Sequence, residues 1–161
     1  MELLVNIIQT STLIIIGYFI WLLKSKVEEL RAIEERLRIE RKKIYEDLLE
    51  PFAITLAGTQ SGKEQEYSAK AIQKIQSPEY RMAMWNFNFI ASDDAILAFN
   101  SLMQSFYQQS KGVKQKPRDV LNLLGGFLLE LRKSLGNKKT KLGAPDMLKG
   151  MLSDIDEVLK S

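Results

Sequence analysis

The sequence predicts an all-α chain. Its expected parts are an N-terminal transmembrane helix at residues 3–23, a helical stalk at residues 24–50 and a small cytoplasmic helical domain at residues 51–161. Three observations predict this class. Residues 3–23 contain no charged side chain, and residues 24–50 contain no glycine or proline and are dense in strong helix formers. The remainder carries successive helix start and stop signals with no evident pair of alternating strands.

The first element is read from length and flanks. Twenty-one residues rising about 1.5 Å each give a helix of roughly 31 Å, which matches a hydrocarbon core of about 30 Å. A cleaved secretory signal needs basic residues before the apolar run and small residues after it. Here Glu2 is the only charge ahead of the run, and Trp21, Leu22, Leu23 and Lys24 close it. A helix buried in a soluble core is the other alternative, because Asn6, Gln9, Thr10, Ser11 and Thr12 dilute the first half. Residues 13–23, however, are apolar on all sides, and Tyr18 and Trp21 stand where interfacial aromatics belong. The permanent span is the better fit. Lys24, Lys26, Arg31 and Arg36 on its C-terminal flank put the bulk of the chain in the cytoplasm, at the inner membrane, and a short N-terminus outside.

At 100° per residue, Asn6, Gln9, Thr10 and Gly17 fall within about a 100° sector of this helix. Amides facing lipid are costly, so such a stripe faces another helix or water. With one span per chain, the other helix belongs to a second copy or another protein. The stripe then lines an oligomer seam or a narrow pore. The alternative is that these residues lie among outer headgroups and stay hydrated.

In the stalk, Glu34 and Arg38 form a favourably ordered i,i+4 pair; Glu28/Arg31, Glu35/Arg38 and Glu40/Lys43 are i,i+3 pairs. The helix is expected to run unbroken to Pro51, which should stop it. Leu23, Leu30, Leu37 and Ile44 recur every seven residues and make one half of a coiled-coil seam. The other half, Val27, Glu34, Arg41 and Leu48, is charged at two of its four positions. Either the seam is a parallel stalk between subunits, or the helix is solvated with one apolar edge against its own domain.

After Pro51, "PFAITLAG" should close at Gly58, and a polar helix should begin near Ser61. "SPEYRMAMWNFNFIA" has Pro78 near a helix start, with Tyr80, Met84, Phe87 and Ala91 on its apolar side; its Met82/Met84 alternation also allows a strand. "SDDAILAFNSLMQSFYQQ" has Ser92 as N-cap, acids in the first turn, and Ile96, Phe99, Met103 and Phe106 on one face. "KPRDVLNLLGGFLLELRKSLG" starts at Pro117 and stops at Gly136. "APDMLKGMLSDIDEVLK" should supply a last helix.

Chemistry is sparse. The chain of 161 residues has no Cys and no His, so thiolate and imidazole catalysis and Cys/His zinc sites are excluded. No catalytic residue, metal or cofactor is expected, and the chain is not expected to be an enzyme. "AGTQSGKE" lacks the phosphate-loop pattern, having Ala57 and Glu64 where Gly and Ser or Thr are needed. Asp93/Asp94 suit a helix start, and Asp154, Asp156 and Glu157 suit an exposed helix. The net charge of +3 does not argue for nucleic acid, and stable double-stranded nucleic acid is not an expected partner. The strongest ligand candidate is Arg132, Lys133, Lys138, Lys139 and Lys141, five cations within ten residues. They would hold an anionic ligand such as a nucleotide or oligonucleotide; helix capping plus a solvated loop, or attraction to anionic lipid, are the alternatives. The cluster's charge, the polar stripe and the seam together give membrane lipid, a second copy and an anion as expected partners.

The segments "ASDDAILAFNSLMQ" and "LLGGFLLELRKSLGNKKTKL" resemble the cytoplasmic core of uncharacterised bacterial single-pass membrane proteins. In those, a helix beginning "SD" is followed by a helix end of the form L-R-K-x-L-G. The resemblance covers roughly residues 80–155 and carries no catalytic signature. It implies a membrane effector of the kind found in anti-phage defence systems, oligomerising to disturb the inner membrane when a nucleotide signal binds. A membrane-tethered adaptor that docks a cytoplasmic protein is the alternative.

Overall fold

The computed structural model describes residues 1–152 and 155–158, with the backbone alone for residues 2–11 and 156. Among the described residues the fold is all-α, with no strand. Its elements are α1 (Glu2–Ser61), α2 (Glu64–Gln76), α3 (Pro78–Ile90), α4 (Asp93–Ser110), α5 (Pro117–Ser134), a 3-10 turn (Pro145–Met147) and α6 (Ile155–Val158). The strand allowed at Met82 and Met84 is absent; both lie in α3.

The chain divides into two compact units, Met1–Ile39 and Glu40–Ser161. In the first, the described side chains from Leu13 onward are almost all exposed, including Ile14, Ile15, Tyr18, Phe19 and Trp21. Among the described residues, no helix is long and apolar enough to cross a membrane. Of the expected span, residues 3–11 lie outside the described side chains, so the described apolar run covers about its second half. Beyond it, Arg38 pairs with Glu35 at 2.8 Å rather than with Glu34, and Lys26 pairs with Glu29 at 2.7 Å. Exposed pairs like these contribute a few tenths of a kcal/mol each.

The second unit begins at Glu40, eleven residues before Pro51. The stalk boundary expected at residue 50 is thereby moved: Ile44, Tyr45 and Leu48 are core residues of the domain. Ile44, expected on the stalk seam, is only 7% exposed. Pro51 does not stop the helix either, since α1 continues to Ser61. A proline inside a helix costs about 3 kcal/mol through its missing N–H and its clash with the carbonyl four residues back. Here its ring is fully buried, and the gain from that burial offsets the broken turn. The helix ends instead at Gly62, whose φ of +68° lets the Lys63 N–H donate to the Gly58 carbonyl at 3.1 Å. Gly58, expected to be the stop, is a packing glycine: a β-carbon there would lie 2.5 Å from Cβ of Tyr67.

Four aromatic rings form the centre of the domain. Phe87 of α3 meets Tyr45 of α1 at 5.8 Å between centroids, Phe99 of α4 at 5.3 Å and Phe127 of α5 at 6.0 Å. Phe99 and Phe127 are 5.2 Å apart. The buried face of α4 is turned by about one residue from the expected one. Ala95, Phe99, Leu102 and Ser105 are buried, while Ile96, Met103 and Phe106 are half-buried. Buried Ser105 is satisfied because its hydroxyl donates to the Gln115 side-chain oxygen. Ser92 takes the N-cap position of α4 without a side-chain capping bond; at α3 it is Ser77 whose hydroxyl accepts from the Tyr80 N–H, at 3.2 Å.

Gly125 and Gly126, side by side in α5, have different roles. A β-carbon on Gly125 would collide with the Ala144 carbonyl, whereas Gly126 has open space around its α-carbon. Gly125 thus admits the backbone of the loop after α5. Gly125→Ala is expected to destabilise the domain by about 1–3 kcal/mol, and Gly126→Ala to be neutral or stabilising by up to about 1 kcal/mol; paired thermal melts check this.

The last expected helix is largely replaced. Pro145–Met147 is one 3-10 turn, and among the described residues α6 covers only Ile155–Val158. The Asp146 carboxylate accepts from the Gly143 N–H at 2.8 Å and pairs with Lys149 at 3.5 Å, which closes a turn and competes with a longer helix. That N–H and the Lys149 ammonium hold its carboxyl below the usual carboxylate range.

Candidate functional site

The five-cation cluster is split by the fold. Helix α5 ends in a Schellman turn: the Asn137 N–H donates to the Arg132 carbonyl at 3.3 Å, the Gly136 N–H to Lys133 at 3.0 Å, and Gly136 has φ +105°. This turn reverses the chain so that the residues at 138–140 come back over Arg132. Arg132, half-buried, donates from Nε to Thr140 Oγ1 at 3.4 Å. Lys133 is engaged by Glu130 at 2.6 Å, on its own helix. Lys138, Lys139 and Lys141 remain exposed. Arg132, Gly136, Asn137, Lys138, Lys139 and Thr140 surround an open depression of about 570 Å³. The arrangement supplies ionic contact to an anion, next to carbonyls at a helix C-terminus that favour cations. The residues lining the depression include no acid.

Among the described residues no group of acids could hold a metal ion. Burial pushes the Tyr80 phenol up to about 12, so it stays neutral inside the core. Asp93 and Asp94 are exposed in the first turn of α4. Asp154 and the side chain of Asp156 lie outside the described residues.

Two features were not anticipated from sequence. The first is Arg41, read above as a charged seam position. Its Nε donates to the Ile90 carbonyl at 2.7 Å and its Nη1 to the Ser134 carbonyl at 3.5 Å, so one guanidinium closes the C-terminal ends of α3 and α5. Tyr45, one turn on, hydrogen-bonds Ser134 Oγ at 2.8 Å. Arg41→Ala is expected to destabilise the domain by about 2 kcal/mol, with Arg41→Lys recovering only part of the loss; denaturant midpoints check it.

The second is a stripe on α3. Met82, Trp85 and Phe89 are 60%, 63% and 78% exposed, at i, i+3 and i+7. The spacing is visible in "EYRMAMWNFNF", on the side of the helix away from the buried Tyr80, Ala83 and Phe87. Beside Met82 runs a groove of about 580 Å³ rimmed by Glu40, Asp47, Glu79 and Lys43.

The seam residues Leu23, Leu30 and Leu37 are exposed, at 67%, 60% and 38%, and so separate from Ile44. Gly17 has nothing within 4 Å of where a side chain would start. Asn6, Gln9 and Thr10 lie outside the described side chains. In comparison with known proteins, no family model, no curated protein and no solved structure matches the chain.

Proposed function

We propose that this chain is a single-pass inner-membrane protein with residues 3–23 in the bilayer and its helical domain in the cytoplasm. It works as a homo-oligomeric membrane effector, and the pore it forms acts in bacterial anti-phage defence. One observation carries the reading. Residues 13–23 are apolar around the whole helix, and the chain covers almost none of them. Nine large exposed side chains there, each worth about 1.5–3 kcal/mol when fully removed from water, leave on the order of 10 kcal/mol unrealised in water. A bilayer realises it without any further fold. The polar stripe of Asn6, Gln9, Thr10 and Gly17 supports oligomerisation, since lipid is a poor surrounding for amides. The defence role rests on the resemblance of residues 80–155, and the exposed lysines 138, 139 and 141 are the place for an anionic activator.

The experiment is the pair Asn6→Leu with Gln9→Leu in the full chain expressed in bacteria. Loss of membrane permeabilisation with unchanged membrane association is expected. Unchanged permeabilisation removes the pore.

A second reading, a tethered adaptor, is favoured by the exposed Met82, Trp85 and Phe89, residue types that anchor protein interfaces. It predicts that an unrelated span in place of residues 3–23 preserves activity, whereas the effector reading predicts that activity is lost.

A further inference from the structure

We infer that residues 13–37 pack against the same residues of a second copy as one parallel seam, in a single heptad register that starts inside the bilayer segment and ends at Leu37. This deepens the membrane reading above and rests on it. Take Ile20 as an a position. Then every seventh residue from Leu13 to Glu34 is an a position, and every seventh from Ile16 to Leu37 is a d position. Of these eight, seven are apolar, and all are exposed in the first unit. Residues 13–23 are apolar at every position and fit any register; the spacing is carried by Val27, Leu30 and Leu37 in the stalk, and by position Asn6 and Gln9 continue its two lines.

Lipid asks only for apolar surface and imposes no 3-4 spacing. The partner that does is another helix, because a seven-residue repeat drifts about 20° per heptad on a straight helix and stays in contact only when two helices supercoil left-handedly. Copies inserted under the same charge bias run parallel. Each layer then meets its own equivalent, and Asn6, Gln9 and Glu34 each oppose a polar residue at the same height. A helix of unrelated sequence would have to reproduce all three.

The lower end of the seam is set by the fold. The next positions in the register are Arg41, Ile44 and Leu48. Arg41 is bound to the Ile90 and Ser134 carbonyls, and Ile44 and Leu48 are buried in the domain. Leu37 is the last of these positions in the first unit, and Arg41 the first in the second. Two features keep the seam weak: Glu34 faces its twin, and Lys26 of one copy approaches Arg31 of the other as a like charge. Confinement in a membrane raises the effective concentration enough to make a weak seam close.

The chain has no cysteine, so single cysteines report cleanly. Val27→Cys, Leu30→Cys and Leu37→Cys in the full chain, oxidised in native membranes, should give disulfide dimers several-fold above Ser25→Cys, Ala32→Cys and Ile44→Cys. Glu34→Leu added to Val27→Cys should raise the yield further. Equal yields at 25, 27, 30 and 32, adducts of a mass other than twice the chain, or a drop with Glu34→Leu would overturn the seam while leaving the span intact. Recovery of the unmodified chain outside the membrane fraction would overturn both.

Discussion

Phe87→Ala is expected to lower the stability of the helical domain by about 3–5 kcal/mol. Phe87 is fully buried and touches three of the other large rings, on α1, α4 and α5, so its removal leaves a void that no single helix can close by shifting. Edge-to-face contacts add about 0.5–1.5 kcal/mol each beyond area burial, which puts the loss at the upper end. Domains of this size have about 5–15 kcal/mol in total. The variant should therefore unfold at a much lower urea midpoint, with an unchanged slope, when followed by near-ultraviolet circular dichroism. Phe87→Leu, which refills most of the volume, should lose less than half as much. A loss under about 1 kcal/mol for the alanine variant would mean that the ring cluster is not the centre of the core.

Leu13→Arg combined with Ile16→Arg has a comparable effect on location. Each arginine near the middle of a 21-residue span costs about 2.5–3.5 kcal/mol to insert. Two on neighbouring turns cannot both reach an interface by extending their side chains. The double variant should leave the membrane pellet for the supernatant or for aggregates. Ser25→Arg and Ala32→Arg, beyond the expected span, should leave the distribution unchanged. Identical distributions for both pairs would show that residues 13 and 16 never meet lipid.

Where local signals and burial agreed, the sequence was readable. Helix α5 runs from Pro117 to a Gly136 turn because proline at a first turn and glycine after a last one act through backbone geometry alone. Ser92 stands at the start of α4, and Phe87, Phe99 and Tyr80 are in the core. Departures arise where tertiary packing decides. Pro51 is tolerated because its ring is buried, which no local rule sees. Arg41 reads as a solvated charge until α3 and α5 bring two carbonyl ends to it. The helix stop falls at Gly62 rather than at Gly58, which packs closely against Tyr67 of α2. The C-terminal "APDMLKGMLSDIDEVLK" has helical composition, yet the Asp146 turn uses its first residues otherwise.

The candidate site follows the same division. Seven-residue spacing exposed Leu23, Leu30 and Leu37 from sequence, whereas the loss of Ile44 to the core required the fold. The five-cation cluster was visible as charge. That Glu130 and Thr140 engage Lys133 and Arg132, while Lys138, Lys139 and Lys141 stay exposed, depends on side-chain geometry.

The central claim is that the exposed apolar helix of the first unit is covered by lipid. Extraction of native membranes with alkaline carbonate, which strips peripheral proteins, tests it most directly. The full chain should remain in the pellet and be released only by detergent. Its recovery in the carbonate supernatant would contradict the account.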